Sequence, residues 1–167
     1  MSGRSIDGWI DAWAQHRPGH PALVSEESTV SYADLAERVA RRRAWLAGQG
    51  VEAGDHVGFC GLNRIEFIES LAACARLGAV LLPLNNRLTA GEIRFQLADA
   101  EPVLVLATDG FAATIEDADP AVTVIDLDLD QDLDLDRRPG PGAAADGLIS
   151  TGLPADPDRP VLMVYTS

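Results

Sequence analysis

The residues of greatest chemical interest lie at Val161–Ser167, where the apolar run Val-Leu-Met-Val-Tyr leads into the hydroxyl residues Thr166 and Ser167. Many phosphate-binding loops begin where a buried strand ends in small residues, because small side chains let backbone N–H groups approach phosphate oxygens. Such loops usually carry glycines and a lysine as well. The pattern is equally typical of an ordinary core strand, so the preceding residues have to distinguish the two.

The basic residues restrict the chemistry that the chain can perform. All thirteen are arginine, and the sequence contains no lysine. A Schiff base, a lysine nucleophile and a phosphate-loop lysine are therefore excluded for this polypeptide. The net charge of −13 also argues against nucleic acid and anionic membranes as partners, since both are bound by cationic surfaces.

The cysteines and histidines do not form a recognisable metal or redox motif. Cys60 and Cys74 have neither metal-ligand spacing nor the spacing of a redox pair, so we expect buried, reduced thiols in a cytoplasmic protein. His16 and His20 are four residues apart, but the Pro-Gly between them rules out a common helix and argues against a metal site. His56 is expected to be structural. We expect no membrane span and no signal segment.

An acidic repeat precedes the final strand. Residues Asp126–Asp136 carry aspartate at six alternate positions. Calcium favours clustered carboxylates, but this segment lacks the glycine turn and the terminal glutamate of a calcium loop. A solvated edge strand or a loop is the better interpretation. We expect residues 126–160 to form an acidic and then Pro/Gly-rich connection across the surface.

The periodicity of the apolar residues predicts the elements that position these groups. Ile6–His16 has the stripe of an amphipathic helix, with Trp9 and Trp13 as core anchors. Residues 22–24 and 29–30 predict a short hairpin. Three further helices are expected to begin at capping boxes. In a capping box the side chain of the N-cap residue accepts the backbone N–H of residue N3, and the acidic side chain of N3 accepts the backbone N–H of the N-cap residue. The box pairs are Ser31 with Asp34, Asn63 with Glu66, and Thr89 with Glu92, and the helices span 32–48, 64–77 and 90–99.

Apolar runs between these helices predict strands, at 56–60, 80–84, 103–107 and 122–125. From residue 56 the order is strand, helix, strand, helix, strand, and the strands are almost continuously apolar. That order predicts an α/β fold with a mostly parallel sheet and helices on both faces. The 47% hydrophobic content suits a globular chain with one core.

Taken in order, six sequence blocks resemble one family. The pattern is similar to the N-terminal region of the AMP-forming adenylate-forming enzymes, which include acyl-CoA synthetases, peptide-synthetase adenylation domains and luciferases. The resemblance runs from about residue 5 to the end. The blocks are residues 30–35, 50–57, 63–67, 75–85, 86–93 and 161–167.

The resemblance implies that Thr166 and Ser167 are the first two residues of an ATP phosphate loop. In that family the strand continues into Gly-Thr-Thr-Gly-x-Pro-Lys. The intact enzymes use ATP, Mg²⁺ and CoA to join a carboxylic acid to a thiol through an acyl adenylate. Their catalytic and metal-binding residues come from later motifs, so the resemblance implies no catalytic residue in this chain. Residues 1–167 would then be part of a large N-terminal domain, inactive alone.

The segment Pro83–Thr89 indicates a subclass. It reads Pro-Leu-Asn-Asn-Arg-Leu-Thr, which is closer to the Pro-Leu-Asn-x-Arg-Leu of acyl- and aryl-CoA ligases than to the Pro-Leu-Asp-Pro-x-Tyr-Pro of peptide synthetases. The resemblance implies that Arg87 contacts a CoA phosphate; a surface arginine near a helix start is the alternative. The carboxylic acid, and the choice between CoA and a carrier-protein thiol, stay open.

A second hypothesis is a non-catalytic α/β module that serves in folding or interaction. A self-contained module is expected to end its sheet with a strand protected by charge or proline. Val161–Tyr165 is a bare apolar run suited to the middle of a sheet, which favours the ligase hypothesis.

Overall fold

The computed structural model describes residues 6–25, 28–129 and 160–165. Helices and strands alternate along most of these residues. In chain order the elements are α1 (Ile6–His16), β1 (Pro21–Val24), β2 (Thr29–Ser31), α2 (Tyr32–Gly48), β3 (His56–Cys60), α3 (Ile65–Leu77), β4 (Val80–Leu84), α4 (Ala90–Ala100), β5 (Leu104–Ala107), α5 (Ala112–Ala118) and β6 (Val124–Asp126).

Strands β3 to β6 form a parallel sheet in the order β4-β3-β5-β6. His56 pairs with Val80 of β4, and Val57 pairs with Leu104 of β5. β1 and β2 form a separate antiparallel hairpin, as predicted. The chain passes from β3 to β4 on one side and then crosses to β5 on the other. The carboxyl ends of β3 and β5 therefore border the point where the strand order reverses.

Both faces of the sheet are covered by helices. Val57 and Phe59 of β3 pack in a buried cluster with Leu46 of α2 and Cys74 of α3. Alternate strand residues, such as Leu82, pack in a second cluster with Ile93 of α4 and Ile115 of α5. Because neither face meets water, the strands are apolar at almost every position. The predicted fold class is confirmed.

Two of the three predicted capping boxes supply side-chain caps. The Thr89 hydroxyl accepts a hydrogen bond from the Glu92 N–H (3.4 Å), and the Glu92 carboxylate accepts the Thr89 N–H (2.8 Å), which completes that box. The Ser31 hydroxyl accepts the Asp34 N–H (3.2 Å). The Asp34 carboxylate accepts the Ser31 hydroxyl instead of its amide (2.6 Å), since aspartate is one methylene shorter than glutamate.

The capping box predicted at Asn63 and Glu66 is wrong. Helix α3 begins at Ile65, with Arg64 in the cap position and no side-chain cap. Glu66 pairs with Arg64 instead, with 3.0 Å between Arg64 Nη2 and Glu66 Oε1. The carboxylate that the box requires is thus held by a local arginine, so it does not reach back to a cap amide.

The strand that was predicted at residues 122–125 begins two residues later in the structure. The backbone carbonyl of Asp119 accepts the N–H of Val122 (3.3 Å), and its carboxylate accepts the N–H of Ala121 (3.0 Å). These bonds hold residues 119–122 in a turn. β6 consequently starts at Val124.

Helix α5 was not predicted from the sequence. It has seven residues, and its N-cap Phe111 offers no side-chain hydrogen bond, so the usual start signal is missing. Arg94 of α4 donates to the carbonyls of Ala118 (2.5 Å) and Asp117 (3.4 Å) at its end. This contact satisfies backbone groups that the helix terminus leaves unpaired.

Helix α1 packs through a narrower face than expected. Ile10 is buried against the hairpin and α2, whereas Trp9 is 53% exposed, so Trp9 is not a core anchor. Trp13 stacks on Tyr32 with ring centroids 5.3 Å apart. Within the described residues, no helix is long and apolar enough to cross a membrane.

Residues 160–165 lie alongside β4. Leu81 of β4 donates its N–H to the Val161 carbonyl (3.1 Å) and accepts the Met163 N–H (2.9 Å), which makes one parallel bridge. Met163 packs against the α4 side of the core, whereas Leu162 and Val164 are exposed. Among the described residues, this segment forms the outer edge next to β4, and its apolar residues Leu162 and Val164 face outward.

Candidate functional site

A cavity of about 380 Å³ opens at the carboxyl ends of β3 and β4. Ligands of parallel α/β sheets bind beyond the carboxyl ends of the strands, and this cavity lies at that edge, on the β4 side of β3 and not at the switch point between β3 and β5. Its lining combines aromatic and aliphatic groups with amides and one cation. The apolar lining comes from Phe59, Leu62, Phe67, Pro83 and Leu84, and the polar side chains are those of Asn63, Asn85, Asn86 and Arg87.

Arg87 is presented by a tight turn between β4 and α4. The Asn85 side-chain oxygen accepts the Arg87 N–H (3.0 Å), and the Asn85 carbonyl accepts the Leu88 N–H (3.0 Å). These bonds fix the backbone while the Arg87 side chain stays exposed at the cavity. Within the described residues, its guanidinium makes no hydrogen bond or ion pair. Arg87 can therefore offer its charge and its donors to an anionic ligand.

The capping box of α4 fixes the other end of this turn. The N–H and hydroxyl of Thr89 both donate to the Glu92 carboxylate (2.8 and 2.7 Å). These hydrogen bonds lower the pKa of Glu92, because they favour its charged form. Arg87 thus lies between two hydrogen-bonded turns, which restrict the range of positions its side chain can reach.

The loop after β3 forms the facing wall of the cavity. Asn86 Nδ2 donates to the carbonyl of Gly61 (3.1 Å), which ties the Arg87 turn to this loop. A Cβ atom at Gly61 would lie 2.0 Å from Thr108 Oγ1, so only glycine fits there. The close approach of Thr108, the residue after β5, explains why a side chain is not accommodated here.

A charged cluster occupies the sheet edge beside the cavity. Arg64 Nη1 lies 3.3 Å from Asp109 Oδ1 and 2.9 Å from Asp128 Oδ1, and Arg64 also pairs with Glu66. Partial burial alone would lower the pKa of Arg64, but the Glu66 hydrogen bond and the three carboxylates raise it. Arg64 is therefore already neutralised by the protein, unlike Arg87.

The same cluster keeps Asp109 ionised. Burial alone would raise the pKa of its carboxyl group. Hydrogen bonds from the Leu62 N–H and the Thr108 hydroxyl, together with the charge of Arg64, outweigh this effect and lower the pKa. Neither Arg64 nor Asp109 was singled out from the sequence. The one available signal was the Thr-Asp-Gly sequence directly after a strand, which is typical of a turn.

The expected phosphate-loop residues Thr166 and Ser167 lie outside the described residues. The segment that leads to them is anchored at its end by Tyr165, whose hydroxyl donates to Asp99 Oδ2 of α4 (2.5 Å). The Tyr165 ring also meets the ring of Phe95, with centroids 6.5 Å apart. Because the segment runs parallel to β4, its carboxyl end points to the same sheet edge as Arg87.

The buried cysteines do not supply a nucleophile. Desolvation raises the pKa of Cys60 to about 11. Desolvation also raises the pKa of Cys74 to about 12, although the charge of Arg42 opposes it. Both thiols are buried, as predicted, and they stay protonated near neutral pH. His56 is structural, since its Nδ1 lies 2.5 Å from the Ala100 carbonyl.

The described residues do not fit a metal ion. Among them, no group of three or more His, Cys, Asp or Glu side chains is placed to hold one. The carboxylates of Glu66, Asp109 and Asp128 converge on Arg64 instead. Of the acidic repeat, residues 130–136 lie outside the described residues, and Asp126 accepts the N–H of Asp128 (3.0 Å).

The fold is a parallel α/β sheet with an arginine-bearing cavity at its carboxyl edge, and comparison with known proteins identifies the family. The model of the AMP-binding enzyme family matches residues 10–167. The chain belongs to this family. The predicted resemblance is confirmed.

Individual relatives show the extent of the match. The chain is 34% identical over 165 residues to the indoleacetate–CoA ligase of Aromatoleum aromaticum, covering 97% of this chain and 32% of that ligase. The fatty acyl CoA synthetase of Mycobacterium tuberculosis has a similar structure, with a TM-score of 0.82 and 26% identity, over 98% of this chain and 32% of that one. The chain thus spans about a third of their length.

A third similar protein was solved with a reaction intermediate. The o-succinylbenzoate CoA synthetase of Bacillus subtilis, in complex with its acyl-adenylate intermediate, matches with a TM-score of 0.67 and 30% identity. The match covers 78% of this chain and 33% of that one.

Proposed function

We propose that the protein containing this chain is an ATP-dependent, AMP-forming acid–thiol ligase of the acyl-CoA synthetase type. Residues 1–167 supply the first part of its large N-terminal domain, and this part is inactive alone. A carboxylate oxygen attacks the α-phosphorus of ATP and pyrophosphate leaves. The thiol of CoA then attacks the acyl carbon, and AMP leaves. Magnesium, when bound, offsets the charge of the phosphates.

The observation that best supports this proposal is the convergence of two elements on one sheet edge. The described 160–165 segment runs parallel to β4, so its carboxyl end lies toward the sheet edge where Arg87 lines the cavity. In the proposal, Thr166 and Ser167 begin the ATP phosphate loop, and Arg87 contacts a CoA phosphate. Two anionic ligands would then meet at one side of the sheet, as the two half-reactions require.

The cavity lining suits the nucleotide part of CoA. Arg87 offers a charged donor for phosphate oxygens. The amides of Asn85 and Asn86 line the same wall and can exchange hydrogen bonds with a purine base or a ribose. Phe67 and Leu62 provide apolar surface for the flat base. The lack of a protein partner for Arg87 among the described residues makes its charge available for this contact.

Two assays on the full-length protein test the proposal. Carboxylate-dependent exchange of pyrophosphate into ATP reports the first half-reaction, and thioester formation with CoA reports the second. We expect both activities with the full-length protein, and neither with the 167-residue chain alone. No exchange with any of a broad panel of aliphatic and aromatic acids would overturn the assignment.

The variant Arg87→Gln tests the assigned contact. We expect it to raise the KM for CoA by about tenfold, the effect of losing one charged hydrogen bond, and to leave pyrophosphate exchange unchanged. Arg17→Gln is the matched control, because Arg17 is an exposed arginine that stacks over Trp13, far along the chain from the cavity. An unchanged KM for CoA in Arg87→Gln would remove Arg87 from the site.

A further inference from the structure

Asp109 connects the end of β5 to the loop after β3. Its Oδ2 accepts hydrogen bonds from the Leu62 N–H (3.1 Å) and from the Thr108 hydroxyl (2.8 Å). Its Oδ1 accepts one from Arg64 Nη1 (3.3 Å). The Asp109 N–H in turn donates to Asp128 Oδ2 (2.6 Å). One carboxylate thus holds both the backbone and a side chain of a neighbouring loop.

The backbone of Asp109 places its carboxylate in this position. Its φ of +57° lies in the left-handed region, which aspartate and asparagine tolerate better than other residues with a side chain. Asp109 is followed by Gly110, whose φ is also positive at +78°. The chain therefore turns sharply at the end of β5, and the Asp109 side chain meets the loop after β3.

That loop is one wall of the cavity. Gly61, Leu62 and Asn63 line it, and Arg87 and Asn86 line the facing side. Side chains outside the loop hold it at three residues: Asp109, just after β5, holds Leu62 and Arg64, Asp128 also holds Arg64, and Asn86 holds the Gly61 carbonyl from the β4 end. Releasing Asp109 would remove the hydrogen bond that holds the Leu62 backbone, while Arg64 would keep its contact with Asp128.

We propose that Asp109 is a positioning residue for the cavity: it fixes residues 61–64 as the wall facing Arg87 and so sets the affinity for the nucleotide of CoA. The identity of the ligand rests on the proposed function, whereas the geometry of the wall does not. Asp109 touches no cavity ligand in this scheme. It acts through the Leu62 amide and the Arg64 guanidinium.

Asp109→Gly is the variant that tests this role, because glycine adopts the positive φ without strain and removes all three side-chain bonds. Asp109→Asn is the conservative variant. It keeps one oxygen that can accept the Leu62 N–H, but it places an uncharged amide group next to Arg64. Arg94→Met is the control for general loss of stability. It removes the bonds to the Ala118 and Asp117 carbonyls, and Arg94 does not line the cavity.

Two measurements on the full-length protein separate the outcomes. Amide hydrogen exchange at Leu62 reports the wall, and calorimetric titration with CoA reports the ligand. In Asp109→Gly we expect Leu62 exchange to accelerate about threefold to tenfold, the factor for one ordinary hydrogen bond. We expect the Kd for CoA to rise by a similar factor, with a smaller rise in Asp109→Asn. Pyrophosphate exchange, and CoA binding in Arg94→Met, should stay within about twofold of wild type.

Unchanged Leu62 exchange in Asp109→Gly would overturn the positioning role. Faster Leu62 exchange with an unchanged Kd for CoA would also overturn it, since the wall would then not control binding. If wild-type protein bound no CoA, the proposed function itself would fail. Leu62 exchange would still decide whether Asp109 holds the wall.

Discussion

Arg42 of α2 and Glu69 of α3 form an ion pair in the protein interior. Their Nη2 and Oε2 atoms are 3.1 Å apart, and each side chain is 1% exposed. A second arginine of α2, Arg38, places its Nη1 3.3 Å from the other Glu69 oxygen. Glu69 therefore neutralises charge from two successive turns of α2. This arrangement fixes the register of α2 against α3, which together cover one face of the sheet.

Glu69→Ala should unfold more easily than any surface carboxylate variant. It removes the carboxylate that pairs with the buried Arg42 guanidinium, a change that costs about 3–5 kcal/mol in comparable pairs. Urea unfolding measures this difference. The double variant Arg42→Met/Glu69→Leu should recover most of it, because the buried charges are removed together.

Glu37→Ala is the matched surface control for this pair. Glu37 lies 3.9 Å from Arg41 one turn away and is 44% exposed. We expect a loss of about 0.5 kcal/mol or less. If Glu69→Ala lowered the free energy of unfolding by as little as Glu37→Ala, the buried pair would not stabilise the packing of the two helices.

Gly61→Ala should destabilise the protein by about 1–3 kcal/mol through steric overlap. The new Cβ would lie 2.0 Å from Thr108 Oγ1. Adding Thr108→Ala removes that oxygen and should restore part of the loss, so the two changes are not additive. Gly91→Ala is the control, since nothing lies within 4 Å of its new Cβ. In α4 it should stabilise slightly. Thermal unfolding of Gly61→Ala, Thr108→Ala, the double variant and Gly91→Ala measures these effects. If the losses of stability from Gly61→Ala and Thr108→Ala simply added in the double variant, the steric overlap would be contradicted.

Much of the fold could be predicted because the signals are local. Strands β3 and β4 are apolar on both faces, which identifies a parallel sheet without any tertiary information. The Thr89 box needs only residues three positions apart, and it forms as predicted. At Asn63 the same pattern fails because Arg64 competes for the Glu66 carboxylate. A spacing rule does not include that competition.

The site could be predicted only in part. Arg87 lines the cavity, and the motif that contains it was visible in the sequence. The contact between Asp109 and the Leu62 N–H joins residues 47 positions apart, so no spacing pattern reveals it. The packing of α1 also depends on tertiary contacts: Ile10 and Trp9 are neighbours in sequence, but only Ile10 is buried.

Thr89→Ala should lower the free energy of unfolding by about 1 kcal/mol, the usual cost of losing an N-cap. The hydroxyl at this position accepts the Glu92 N–H and donates to the Glu92 carboxylate. Thr89→Ser keeps both bonds and should behave like wild type. Urea unfolding distinguishes the variants. If Thr89→Ala and Thr89→Ser lost the same free energy of unfolding, the effect would come from the threonine methyl group and not from the hydroxyl.

The contact between Tyr165 and Asp99 predicts a loss of stability in alkali. The hydrogen bond to Asp99, partial burial and the charge of Asp99 raise the pKa of Tyr165 to about 12. In the unfolded chain a tyrosine has a pKa of about 10. A raised pKa means that the folded state favours the protonated phenol. The contribution of this contact is therefore complete below about pH 10 and is lost as the pH rises toward 12.

Tyr165→Phe lacks the phenol and should not show this additional loss. Urea unfolding at several values between pH 9 and 12 measures it: the wild-type advantage over Tyr165→Phe should shrink across the range. Phe95→Leu removes the ring contact but keeps the hydrogen bond, so it should retain the wild-type pH dependence. A wild-type advantage that stayed constant to pH 12 would mean that the phenol of Tyr165 is not held by Asp99.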